Sequence, residues 1–155
     1  MVDAIRSWLA EVPDPELPVL SVVDLGMVRE AVWHGDEVEV TITPTYSGCP
    51  VIPVIARDIE AALRGHGIHK VTVRQRLDPP WTSDWLSERG REKLREFGIA
   101  PPATTGLTGI APRVACPHCR SVKTECVSAF GSTPCKALYR CRSCLEPFDY
   151  FKRLA

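Results

Sequence analysis

Cys116-Pro117-His118-Cys119 and Cys141-Arg142-Ser143-Cys144 are two C-x2-C pairs separated by 21 residues. A C-x2-C turn lets two thiolates face one point about 2.3 Å from a metal ion while backbone amides donate to the sulfurs. Two such turns at the ends of antiparallel strands complete a tetrahedral set of four sulfurs. Between them, residues 122–130 and 137–140 read as the two strands of a hairpin. Phe148, Tyr150 and Phe151 supply a third strand and most of the apolar bulk. So short a segment, this poor in hydrophobic side chains, cannot hold itself together by burial. A structural metal ion contributes on the order of 10 kcal/mol and makes up the deficit. The spacing therefore predicts a zinc ribbon over 114–155, with one structural Zn2+ per chain held by Cys116, Cys119, Cys141 and Cys144. All four ligand positions are filled, so no open coordination site is left for catalysis. Iron or an iron–sulfur cluster on the same thiolates is the chemical alternative.

Two further thiols, Cys126 and Cys135, are too far from the knuckles to be direct ligands. They read either as small buried residues of the hairpin or as a second thiol pair that meets a metal or a partner. His118 lies inside a knuckle, but the sulfur set is complete without it and the ring is expected to face solvent.

Upstream of the ribbon, residues 98–113 hold three prolines, three glycines and three threonines with little hydrophobic periodicity, the composition of a linker. Before it, residues 1–97 alternate helical and strand patterns. Residues 3–11 have the spacing of a short amphipathic helix that ends at Pro13-Asp14-Pro15. Residues 27–33 and 37–43 read as strands around a His34-Gly35-Asp36 turn, and the second places Val38, Val40 and Ile42 on one face. A helix ending near Leu63 buries Ile55 and Ile59, a third strand covers 70–74, and Ser83-Asp84 caps a second helix through Phe97. The fold class is α+β: a small three-stranded mixed sheet packed by helices, aided by Trp8, Trp33, Trp81 and Trp85, followed by the C-terminal ribbon.

The 19 basic and 19 acidic side chains cancel over the chain, but not within it. Residues 1–110 carry 11 basic and 16 acidic groups, while 111–155 carry 8 and 3. The basic excess of the ribbon is too weak for a nucleic-acid stripe, so nucleic acid is an unfavoured partner. No stretch has the length and apolarity of a membrane span, and the first residues lack the pattern of a signal peptide. A cytoplasmic location is expected, where seven cysteines serve as metal ligands or reactive thiols rather than disulfides. No Ser/His/Asp-like set and no phosphate-binding glycine loop is present, and the four histidines sit in turn-like surroundings.

Cys49 is followed by Pro50, a residue suited to the first position of a helix. That would make Cys49 the N-cap, where the positive end of the helix dipole lowers a thiol pKa. Pro53 complicates the placement by removing a first-turn hydrogen bond or delaying the start. The residues alone leave a buried inert cysteine and a reactive one equally open.

Asp14-Pro15-Glu16-Leu17-Pro18, the run Val22-Val23-Asp24-Leu25-Gly26-Met27-Val28, and Thr43-Pro44-Thr45 with Cys49-Pro50 resemble the signature of the SufT-like iron–sulfur assembly factors. Pro80-Trp81, Gly98-Ile99-Ala100-Pro101-Pro102, Phe130-Gly131-Ser132-Thr133 and Glu146-Pro147-Phe148 are similar to a narrower group, the D subunits of the phenylacetyl-CoA epoxidase system. The resemblance covers essentially the whole chain. It implies a SufT-like domain over 1–97, and a non-enzymatic accessory factor of a multicomponent oxygenase. Such a factor assists iron or iron–sulfur assembly, with the epoxidase oxygenase or reductase components as partners. By the same resemblance Cys49 and Asp24 are the transient metal or cluster contacts, although a carboxylate like Asp24 also serves to cap a turn. A docking role without metal transfer is the competing reading, and a homodimer is allowed.

Overall fold

The computed structural model describes residues 2–102 and 113–153. The chain divides into two compact units, residues 1–90 and 91–155.

In the first unit, α1 (Val2–Leu9) buries Ile5 and Leu9, the pair of one helical face, and packs on β1 and α2. The chain then turns through 10–27. Here Asp14 accepts the amides of Glu16 and Leu17 at 2.9 and 2.8 Å, so its short side chain closes the Pro13-Asp14-Pro15 corner. β1 (Val28–His34) and β2 (Glu37–Ile42) form an antiparallel hairpin whose turn holds Gly35 at φ +68°. Only glycine adopts that angle without cost. Val38, Val40 and Ile42 are fully buried, as their alternation predicts. α2 (Ile52–Gly65) buries Ile55, Ile59 and Leu63 and carries the chain across to β3 (Lys70–Gln75), which pairs parallel with β2. The sheet order β1-β2-β3 is therefore mixed, with β2 in the centre.

Three details here differ from the sequence expectation. A single 3-10 turn (Ser83–Trp85) precedes α3 (Glu88–Glu96), so the helix does not start at Ser83. Ser87, whose hydroxyl accepts the Gly90 amide at 3.0 Å, is the cap in use. Phe97, expected as the last residue of that helix, lies past its end and is 68% exposed. Of the four tryptophans only Trp81 is buried, its indole N–H donating to the Leu25 carbonyl at 2.8 Å.

The second unit begins within α3. Its sheet has the order β4-β7-β6-β5, formed by Ile99–Ala100, Pro147–Phe151, Lys136–Cys141 and Thr124–Ser128. β5, β6 and β7 are antiparallel, the hairpin plus third strand that the sequence predicts. β4 joins β7 in parallel, so Ile99 and Ala100 belong to the sheet rather than to a linker. Two residues are too short to show a strand period. Residues 103–112 of the expected linker lie outside the described residues. Ala100, Val114, Ala137, Phe148 and Tyr150 pack with Cys116 and Cys141 into a small core.

Candidate metal centre and the Cys49 site

The four knuckle sulfurs converge, all within 4.8 Å of one another. Cys116 Sγ lies 3.7 Å from Cys144 Sγ, and Cys119 Sγ lies 3.5 Å from Cys141 Sγ. A disulfide would need about 2.05 Å. A tetrahedron with metal–sulfur bonds of about 2.3 Å has edges of about 3.8 Å, so the observed spacing fits a four-coordinate metal ion. Backbone geometry sets this up. Arg120 and Leu145, each the residue after the second cysteine of its pair, hold φ +64° and +66°. The left-handed bend folds the chain back, so that the Cys116 amide bonds to the Ser121 carbonyl at 2.9 Å and the Cys141 amide to the Glu146 carbonyl at 3.0 Å. Amides then point at sulfur: His118 to Cys116, and Ser143 and Cys144 to Cys141, each at 3.4 Å. The Cys144 amide, then the Ser143 amide and the Cys119 thiol, hold the Cys141 thiol down, while burial and the neighbouring sulfurs push Cys144 up. The cluster offers four sulfurs to one centre.

Cys126 and Cys135 stay outside this cluster. Cys135 is buried beside the Thr133 hydroxyl at 2.9 Å. Cys126 is exposed, which corrects its reading as a buried hairpin residue. It sits opposite Tyr139 across the β5–β6 ladder, and burial, then the Cys126 sulfur, pushes the Tyr139 phenol up. His118 is exposed, as expected.

Cys49 is not the N-cap of α2. Val51 holds that place, at φ −92° and ψ −2°, with no side-chain cap. Pro53 takes the early helical position suited to proline and moves the start two residues downstream. The helix-dipole argument for a lowered thiol pKa, which depended on that placement, falls with it. Cys49 is 8% exposed, and burial pushes its thiol up, against smaller opposing help from the Val51 amide and the Tyr46 hydroxyl. Glu16 and Asp14 add to the rise by like charge. Tyr46 donates its hydroxyl to Glu16 Oε1 at 3.2 Å, and burial followed by Cys49 pushes the phenol up as well. A phenol has one proton to give, so Glu16 and a Cys49 thiolate compete for it. The site is thus a guarded neutral thiol beside two carboxylates. Tyr46 and Glu16 are 30 residues apart in sequence, and no local spacing advertises their meeting with Cys49.

Asp24 is buried in a reciprocal cap. Its Oδ2 accepts the Ser21 amide at 3.1 Å, and its own amide donates to the Ser21 hydroxyl at 3.0 Å. Its carbonyl also accepts the Ser87 amide at 2.8 Å.

The fold and the two sites together define an α+β domain with a buried thiol, followed by a β ribbon that converges four cysteines. Residues 2–74 match the family model described as iron-sulfur cluster assembly protein, and residues 100–152 match the PaaD zinc beta ribbon domain. The D subunit of the putative 1,2-phenylacetyl-CoA epoxidase of Escherichia coli strain K12 is 50% identical over 152 residues, spanning 97% of this chain and 92% of that protein. The chain belongs to this PaaD family. The Fe-S protein maturation auxiliary factor YitW of Bacillus subtilis is 38% identical, over 58% of this chain and 89% of its own length. Among solved structures, a domain of unknown function from Bacillus anthracis superposes with a TM-score of 0.57 at 26% identity, over 60% of this chain and 90% of its own.

Proposed function

We propose that this protein is an accessory maturation factor of a phenylacetyl-CoA epoxidase system, assisting iron or iron–sulfur assembly in the oxygenase or reductase components. The observation that carries this reading is the full-length likeness to a PaaD protein, with an iron–sulfur assembly fold at its N-terminal end. The ribbon holds one zinc ion as a scaffold. Its closed sulfur shell supports a structural and docking role rather than catalysis, and the protein is not itself an enzyme.

Cys49 is the transient soft ligand in this reading. Metal binding requires the thiolate, so a thiol pushed up by burial competes its own proton against the metal. A site of that kind releases its cargo readily, as handover demands. Asp24 fixes the turn that precedes β1. The burial of Cys49 also favours a second reading, a docking protein in which the thiol is inert.

One substitution separates the two. Cys49→Ser is expressed with the epoxidase components, and the iron and sulfide content and turnover of the purified complex are measured. Lower loading is the expected result. Unchanged cluster content and turnover would sink the transfer role and leave docking. Metal analysis of the isolated chain checks the ribbon independently, with one zinc per chain expected.

A further inference from the structure

Each knuckle carries a large exposed side chain at the position where its backbone is best suited to glycine. The bend after Cys119 and after Cys144 is imposed by the knuckle, which folds the chain back so that the Cys116 and Cys141 amides reach their carbonyls. Glycine adopts such a left-handed angle without cost, and a bulky L-residue does not. Arg120 and Leu145 hold these two positions, at φ +64° and +66°. Neither offsets the strain by burial. Leu145 is 61% exposed, and Arg120 is exposed with no ion pair among the described residues. A single exposed apolar residue is ordinary on a protein surface, but one kept in a strained backbone points to a use.

Both bends lie at one end of the ribbon. The four sulfurs join the knuckles, and the Ser121 and Ser143 hydroxyls meet at 2.7 Å between them. The strip from Ser121 to Lys123 runs beside Arg142, whose amide donates to the Lys123 carbonyl at 2.8 Å. That strip adds Val122, 60% exposed. Leu145 and Val122 are thus the apolar points of this end, with Arg120, Lys123 and Arg142 exposed around them and Glu146 as the neighbouring carboxylate. Apolar points within a polar rim are the anatomy of a protein interface. Residues 111–155 hold 8 basic and 3 acidic groups, and a divalent ion on four thiolates lowers that excess to about +3. The complementary surface is apolar at its centre and acidic at its rim.

We propose that the knuckle end of the ribbon is the docking face for a component of the epoxidase, with Leu145 entering an apolar pocket and Arg120 meeting the acidic rim of that pocket. The inference rests on the docking role given to the ribbon above and names the residues that perform it. It does not depend on the role of Cys49.

The test is surface plasmon resonance of the full-length, metal-loaded chain against the purified oxygenase and reductase components in separate arms. Leu145→Gly and Arg120→Gly relieve the left-handed strain, and that relief outweighs the extra freedom glycine gives the unfolded chain. Both variants should therefore hold zinc against a chelator at least as well as the parent. Each should nevertheless weaken binding about tenfold, and Arg120→Gly should also flatten its salt dependence. A residue that serves only the knuckle cannot move metal retention and affinity in opposite directions. Binding unchanged in both variants overturns the proposal and leaves the maturation reading standing. Earlier zinc loss from Leu145→Gly also overturns it, because Leu145 would then belong to the fold of the knuckle. A parent chain that binds neither component overturns the maturation reading and this proposal with it. Dimers of the parent that the variants dissolve would assign the face to a second copy, and salt-sensitive binding of a DNA duplex lost in the variants would assign it to nucleic acid; either overturns the proposal.

Discussion

Replacing Gly26 by alanine tests whether the Asp24-Leu25-Gly26 segment is a packing device. Gly26 holds φ +70°, and an added Cβ would lie 2.8 Å from the Trp85 Cβ and 2.9 Å from its carbonyl carbon, with the carbonyl oxygen closer still. All three are atoms of one residue that cannot swing aside as a flexible side chain tip would. The bonds flanking Gly26 resist any shift. Trp81 donates to the Leu25 carbonyl at 2.8 Å, Ser87 to the Asp24 carbonyl at 2.8 Å, and the Arg29 guanidinium sits 3.6 Å over the Trp85 ring. The left-handed backbone costs an alanine about 1–2 kcal/mol and the overpacking about 1–3 kcal/mol, so a loss of about 2–5 kcal/mol is expected. With a urea slope of about 1–3 kcal/mol/M, the midpoint should fall by roughly 1 M or more. All four tryptophans lie in the first unit, so urea unfolding followed by tryptophan emission isolates it from the ribbon. A loss under about 1 kcal/mol at an unchanged slope refutes the packing argument.

Stripping the metal with a chelator should abolish the slow amide exchange of Lys136–Cys141 while leaving tryptophan emission unchanged; strands that persist without metal would contradict the ribbon's dependence on it. At Cys49 the folded thiol titrates above its ordinary value of 9.0, so its contribution to stability is complete below 9.0 and is lost as pH rises through the folded value. Alkylation of Cys49 near neutral pH should accordingly be slower than that of the exposed Cys126, and peptide mapping by mass spectrometry reads both at once. Glu16→Gln removes a carboxylate that raises the thiol and frees the Tyr46 proton for it, so alkylation of Cys49 should accelerate; an unchanged or slower rate rejects the coupling.

The parts of the fold legible in the sequence are those written in short periods. The C-x2-C pairs name their own geometry because a knuckle is built within six residues, and the alternation of Val38, Val40 and Ile42 marks β2 because burial on one face is local. Where two local signals compete, tertiary context decides. Ser83 and Ser87 are both good caps, and the chain uses Ser87, next to the Asp24 carbonyl that anchors it. Pro50 and Pro53 both suit a helix start, and the later one prevails, which takes Cys49 away from the helix dipole. β4 is invisible because its pairing with Asp149 and Tyr150 depends on a strand some 50 residues away. The Tyr46–Glu16 contact at Cys49 is hidden for the same reason: it joins two loops that share no sequence pattern.

The outermost ribbon strand has an evolutionary consequence. From Thr124 to Ser128, β5 contributes no buried side chain, and it is anchored by its ladder to β6 and by the Thr124 hydroxyl, which donates to the Val114 carbonyl at 2.6 Å. Drift in its side chains is therefore nearly invisible to folding, whereas β6 and β7 are constrained by the core they fill. Across descendants of this chain, selection for stability would leave β5 free to diverge. Any side chain beyond Thr124 held constant there would be held by what it touches outside the protein.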